Sequence, residues 1–167
     1  MWFWKNRRSD SGAPTGGSGP PGEALKIAID NDRHHARFVG FSGDGNQFFL
    51  TTPFQPSSAS SAGSEYLALY TFSPSGEFLR AQIDDLGPRD TLNLQKRGEL
   101  IEARLASLGN WKAQRIVVEP FSNLHDGVEF GLVLRPLEDE DDIPAVEAQP
   151  GNYMAFFEPW DSGEYDT

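Results

Sequence analysis

From Ala24 to Asp30 apolar and polar residues alternate, with Leu25, Ile27 and Ile29 on one side and Lys26, Ala28 and Asp30 on the other. A period of two residues predicts a half-buried strand. Ala36 to Phe41 and Gln47 to Thr52 are rich in Phe, Val and Thr and flank Ser42-Gly43-Asp44-Gly45-Asn46. Asp-Gly supplies the positive φ that a tight turn needs, so these two runs form a hairpin. Glu65 to Phe72 is apolar on both sides, with Tyr66, Ala68, Tyr70 and Phe72 opposing Leu67 and Leu69. Such a strand belongs in the middle of a sheet covered on both faces. Ser73-Pro74-Ser75-Gly76 turns the chain back into Glu77 to Ile83, with Leu79, Ala81 and Ile83 inward, and Gly87-Pro88 ends that hairpin.

The period then lengthens. Leu94, Ile101, Leu105 and Leu108 fall on one stripe of a 3.6-residue repeat, which predicts a helix from about 91 to 108. Asp90 or Thr91 serves as its N-cap and Gly109-Asn110 as its stop. Gly98 inside it costs about 1 kcal/mol relative to Ala. Period-two runs resume at Gln114 to Phe121 and at Val128 to Arg135, with Val128, Phe130, Leu132 and Leu134 on one face. Ala145 to Gln149 and Tyr153 to Phe157 flank Pro150-Gly151, a sequence suited to a type II turn. The expected fold is α+β: a mostly antiparallel sheet of about eight strands built from hairpins, with the one main helix packed on it.

Two stretches carry no such pattern. Ser9 to Gly22 is Gly/Ser/Pro-rich and reads as a flexible tether, so residues 1–22 form a leader and linker and the folded domain spans 23–167. Pro56 to Ser64, with its serines, reads as a solvated loop longer than a tight hairpin turn. The leader opens with Trp2, Phe3 and Trp4 followed by Lys5, Arg7 and Arg8, the order of a membrane-interface anchor. Spanning a bilayer takes about 20 apolar residues, however, and a signal peptide has a longer apolar core, so a weak membrane or partner contact by residues 2–8 is the minor expectation. The major one is a short aromatic segment that docks on the domain or stays loose, in a protein expected to be cytoplasmic and bacterial-type.

The chain has 167 residues and no cysteine, which excludes disulfide scaffolds, thiol nucleophiles and Cys-ligated metals. Its net charge is −11. Residues 138–167 hold ten of the 25 acidic residues and none of the 14 basic ones, while the leader is slightly basic and the body nearly balanced. Nucleic acid is an unsuitable partner, because phosphate contacts need clustered Lys and Arg.

Motifs with a mechanism are missing. Neither the phosphate-binding nor the dinucleotide-binding glycine loop occurs, and Gly40-Phe41-Ser42-Gly43 departs from a nucleophile elbow at Asp44. Asp84-Asp85 are adjacent, so on a strand they point to opposite faces and do not form a two-carboxylate site. The densest titratable cluster runs from Asp30 through Asp32 to His34 and His35. If the strand continues, Asp30, Asp32 and His34 share a face and could hold a divalent metal, with His125 as a distant fourth group. Arg33 and Arg37 neutralise these aspartates in place, and the same residues are ordinary ones for a turn. A small metal-dependent or acid/base hydrolase built on this cluster is the alternative function.

Glu138, Asp139, Glu140, Asp141 and Asp142 repel one another and must form a solvated loop. The plain role of such a loop is solubility; the functional ones are calcium capture or docking onto a positive protein surface. The tail that follows interleaves Trp160 and Tyr165 with Asp161 and Glu164, as interface anchors rimmed by charge do, although Trp160 capping the domain's own core is slightly the stronger expectation, because a hairpin ends immediately before it. These residues predict an acidic protein-binding module, inhibitor- or immunity-like, that engages a basic protein partner and needs no cofactor.

Overall fold

A computed structural model describes residues 25–33, 36–59, 62–160 and 163–165, the last three as backbone alone. The leader and linker therefore lie outside the described residues, as do His34, His35 and Asp161. The strands are β1 (Ile27–Ile29), β2 (Phe38–Phe41), β3 (Gln47–Thr51), β4 (Phe54–Gln55), β5 (Ser64–Phe72) and β6 (Phe78–Gly87). A 3-10 turn at Arg89–Thr91 leads into helix α1 (Leu94–Ser107), after which come β7 (Lys112–Ala113), β8 (Ile116–Val118), β9 (Phe121–His125), β10 (Val128–Leu134), β11 (Ala145–Gln149), β12 (Met154–Phe157) and β13 (Gly163–Tyr165).

The fold is α+β, but the expected single sheet of about eight strands is three antiparallel sheets, of six, five and two strands. Hydrophobic periodicity identifies strands and their faces; it does not say which strands share hydrogen bonds. In the six-stranded sheet β5 is central. It pairs with β3 and β4 along one edge and with β6 along the other, while β2 and β7 extend the sheet beyond β3. The chain from β9 to β13 is a meander of neighbouring strands. β1 and β8 make the two-stranded ribbon.

Each face of the six-stranded sheet buries its own cluster. On one side Phe48, Leu50, Leu67 and Leu69 meet Leu100, Ile101, Leu105 and Leu108 of the helical segment. On the other, Phe49, Tyr66, Tyr70 and Phe72 face Phe130, Leu132 and Phe156 of the five-stranded sheet and Ile27, Ile116 and Val118 of the ribbon. The result is a layering of helix, sheet and sheet, with aromatic edges such as Tyr66 on Phe130 (4.9 Å) and Tyr70 on Phe121 (4.8 Å) crossing the inter-sheet layer.

Four local expectations change. β1 is buried at all three residues instead of on one side, and the Ala28 N–H donates to the carbonyl of Trp160 at 2.8 Å. Leu79 is 51% exposed, since a bulge opposite Thr71 and Phe72 takes it out of the inward alternation. The N-cap of α1 is Asn93, whose side chain accepts the Lys96 N–H at 3.0 Å, and Leu94 stands 70% exposed outside the buried stripe. The β11–β12 turn carries positive φ at Asn152 as well as Gly151, so it is not the simple type II turn.

Candidate functional site

The acidic loop sits between two strands that hold it by its root. Leu134 of β10 pairs with Val146 of β11, and the Arg135 N–H continues the ladder by donating to the Ala145 carbonyl at 2.8 Å. The Arg135 guanidinium then donates to the Ile143 carbonyl and lies 3.5 Å from the Glu147 carboxylate. The basic residue nearest the loop in sequence is thereby committed to the loop's own base.

Beyond that root the chain folds on its carboxylates. Asp142 Oδ2 accepts the Glu138 N–H at 2.7 Å and Asp139 Oδ1 accepts the Asp141 N–H at 2.9 Å, while the Asp142 N–H reaches the Asp139 carbonyl at 3.3 Å. These are charge-assisted bonds, and they give a highly charged segment a fixed turn. Glu138, Glu140 and Asp141 are exposed and their carboxylates have no cation partner among the described residues. Ile143, 61% exposed, closes the loop as an apolar side chain beside the acids.

The sheet register determines what else lies there. Ala145, where β11 begins, pairs with Phe157, where β12 ends. The segment before Ala145 and the segment after Phe157 must therefore leave the five-stranded sheet at the same end. One is the acidic loop; the other begins Glu158-Pro159-Trp160. Trp160 adopts a φ of +69°, its N–H donates to the Phe157 carbonyl at 2.6 Å, and its half-buried ring packs on the main core. Glu164 and Tyr165 follow on β13, in register with Ala155 and Met154 at the sheet's edge.

The residues of the alternative site are differently placed. Asp30 lies 3.2 Å from Arg115, both about half exposed, and Asp32 also has a partner. His125 stands on β9 at 3.5 Å from Asp126, with its ring edge-on to Phe130. Among the described residues no group of three His, Cys, Asp or Glu side chains could hold a metal ion. Asp84 and Asp85 do point apart: Asp84 takes a bidentate clasp from Arg104 at 2.8–3.1 Å, and Asp85 accepts the Gly87 N–H.

A polar cleft of about 280 Å³ lies between the β2–β3 turn and the end of α1, lined by Ser42, Asp44, Asn46, Thr71, Arg80 and Ser107, among others. The Ser42 hydroxyl donates to Asp44, and this bond, with help from the Asn46 N–H, holds the Asp44 carboxyl below its ordinary value. The Ser-Gly-Asp-Gly-Asn turn was visible in the sequence, but Thr71 and Arg80 reach it only through sheet pairing.

Among the described residues no helix is long and apolar enough to cross a membrane. Compared with protein-family models, curated proteins and solved structures, the chain matches none.

Proposed function

We propose that this chain is an acidic protein-binding module, acting in the cytoplasm in the manner of an inhibitor or immunity protein, that captures a basic protein partner through residues 138–167. The observation that carries this reading is the Ala145 and Phe157 pairing, by which the 138–142 loop and the segment that begins Glu158-Pro159-Trp160 leave one sheet at the same end. The fixed turn presents Glu138, Glu140 and Asp141 with no cation partner among the described residues, so a partner meets charge that is already oriented. Ile143 offers an apolar contact at the rim, the combination from which protein interfaces are built. Like charge concentrated on one end accelerates docking of an opposite surface, and that acceleration falls as salt rises.

The test neutralises charge without dismantling the turn. Glu138→Gln, Glu140→Gln and Asp141→Asn together leave the carboxylates of Asp139 and Asp142 in their backbone bonds. Basic proteins retained at low salt by the immobilised full chain, including the product of any adjacent gene, should be retained at least about tenfold more weakly by the triple variant, with a shallower salt dependence. Equal retention by a variant with unchanged circular dichroism and melting temperature would end the proposal.

A further inference from the structure

β6 is an edge strand. β5 occupies one of its sides along Glu65 to Phe72, and no backbone group of the described residues bonds its other side. An open edge with this much regular backbone is a template for another strand. Between the bulges at its two ends, Arg80 to Asp85 run in unbroken register. Ala81 and Ile83 face the main core there, while Arg80, Gln82 and Asp84 face the helix side, opposite Thr71, Leu69 and Leu67.

We propose that this edge pairs with the same edge of a second copy of the chain, in a two-fold antiparallel dimer centred on Gln82. Symmetry restricts the choice. A two-fold axis perpendicular to the sheet keeps each residue on its own face, and directly opposed residues share a face, so the axis must pass through a residue opposed to itself. Centring on Ala81 sets Arg80 opposite Gln82, and centring on Ile83 sets Asp84 opposite Gln82. Only Gln82 as centre sets Arg80 opposite Asp84 of the second copy, twice over.

The individual side chains fit that register. Arg80 is exposed and has no ion pair among the described residues. Asp84 is held in place by Arg104 and keeps its remaining lone-pair directions for a second guanidinium. Gln82 is half-buried and meets its own copy on the axis, so no charge stands opposite itself there. Ala81 meets Ile83 on the other face, so the half-exposed apolar residues of the edge are also matched.

The chain's lack of cysteine gives a clean reporter. In the full chain, Gln82→Cys should yield a covalent dimer with a short bis-maleimide, because directly opposed residues have Cβ atoms about 5 Å apart. Asp85→Cys should not, since its own copy then lies about 20 Å away along the strand. Sedimentation equilibrium should show reversible dimerisation, weakened about tenfold or more by Arg80→Asp, which places like charges in both symmetry-related pairs. A monomer at every concentration overturns the proposal. So does a dimer that ignores Arg80→Asp, or one that cross-links through Asp85→Cys and not through Gln82→Cys.

Discussion

Gln47 shows how one side chain can replace a stretch of sheet. It is almost fully buried at the start of β3, where its Nε2 donates to the carbonyls of Ser73, Pro74 and Val117 at 3.2, 3.3 and 2.9 Å and its Oε1 accepts the Val117 N–H at 2.8 Å. The amide thus satisfies both backbone groups of Val117 in β8 and fastens the β5–β6 turn to it. Gln47→Glu keeps the shape but directs a carboxylate at three carbonyls, and we expect a loss of about 2–3 kcal/mol or more in urea unfolding near neutral pH. Burial and the facing carbonyls would hold the new carboxyl above its unfolded value. The destabilisation should therefore ease as pH falls through that raised value and the group regains a proton to donate. A loss below about 0.5 kcal/mol would show that the pairing is incidental. Gln47 read only as the polar first residue of a strand, because its importance arises from residues 26 and 70 positions away.

Helix α1 is fastened more by its flanks than by its composition. Leu100, Ile101 and Leu105 meet the sheet, and beyond them the attachment is ionic. Arg104 clasps Asp84, and Glu65, buried in β5, receives Arg89 at 2.8 Å and Arg97 at 3.5 Å. Arg89 also lies over the Phe54 ring at 3.9 Å, tying the entry of the helix to β4. The helix itself was legible from Ile101, Leu105 and Leu108 because they repeat at its period. Its start was not, because Leu94 matches the same period while standing 70% exposed, outside the buried cluster. Gly98 has open space around the position of an added Cβ. Gly98→Ala should accordingly stabilise the protein by about 0.5–1 kcal/mol, read as a higher urea midpoint with unchanged slope. An unchanged or lower midpoint would mean that the segment is not helical at Gly98.

At the scale of the whole molecule, a net charge of −11 stores repulsion, and the unpaired carboxylates of the 138–142 turn share in it. Moderate added salt should raise the melting temperature of the full chain, and the rise should be smaller in the triple variant that neutralises Glu138, Glu140 and Asp141. An identical salt response would place the repulsion elsewhere. The sequence by itself determined the α+β class, nine of the thirteen strands (not β4, β7, β9 or β13), the two-faced character of β5 and the concentration of acid in residues 138–167. These follow from local periodicity and composition, which are written residue by residue along the chain. Tertiary structure alone decided that the strands divide among three sheets and that Trp160 folds back onto the core beside β1. Each of these depends on pairing between distant strands, and a strand's hydrophobic pattern specifies which face it buries without specifying the neighbour that supplies its hydrogen bonds.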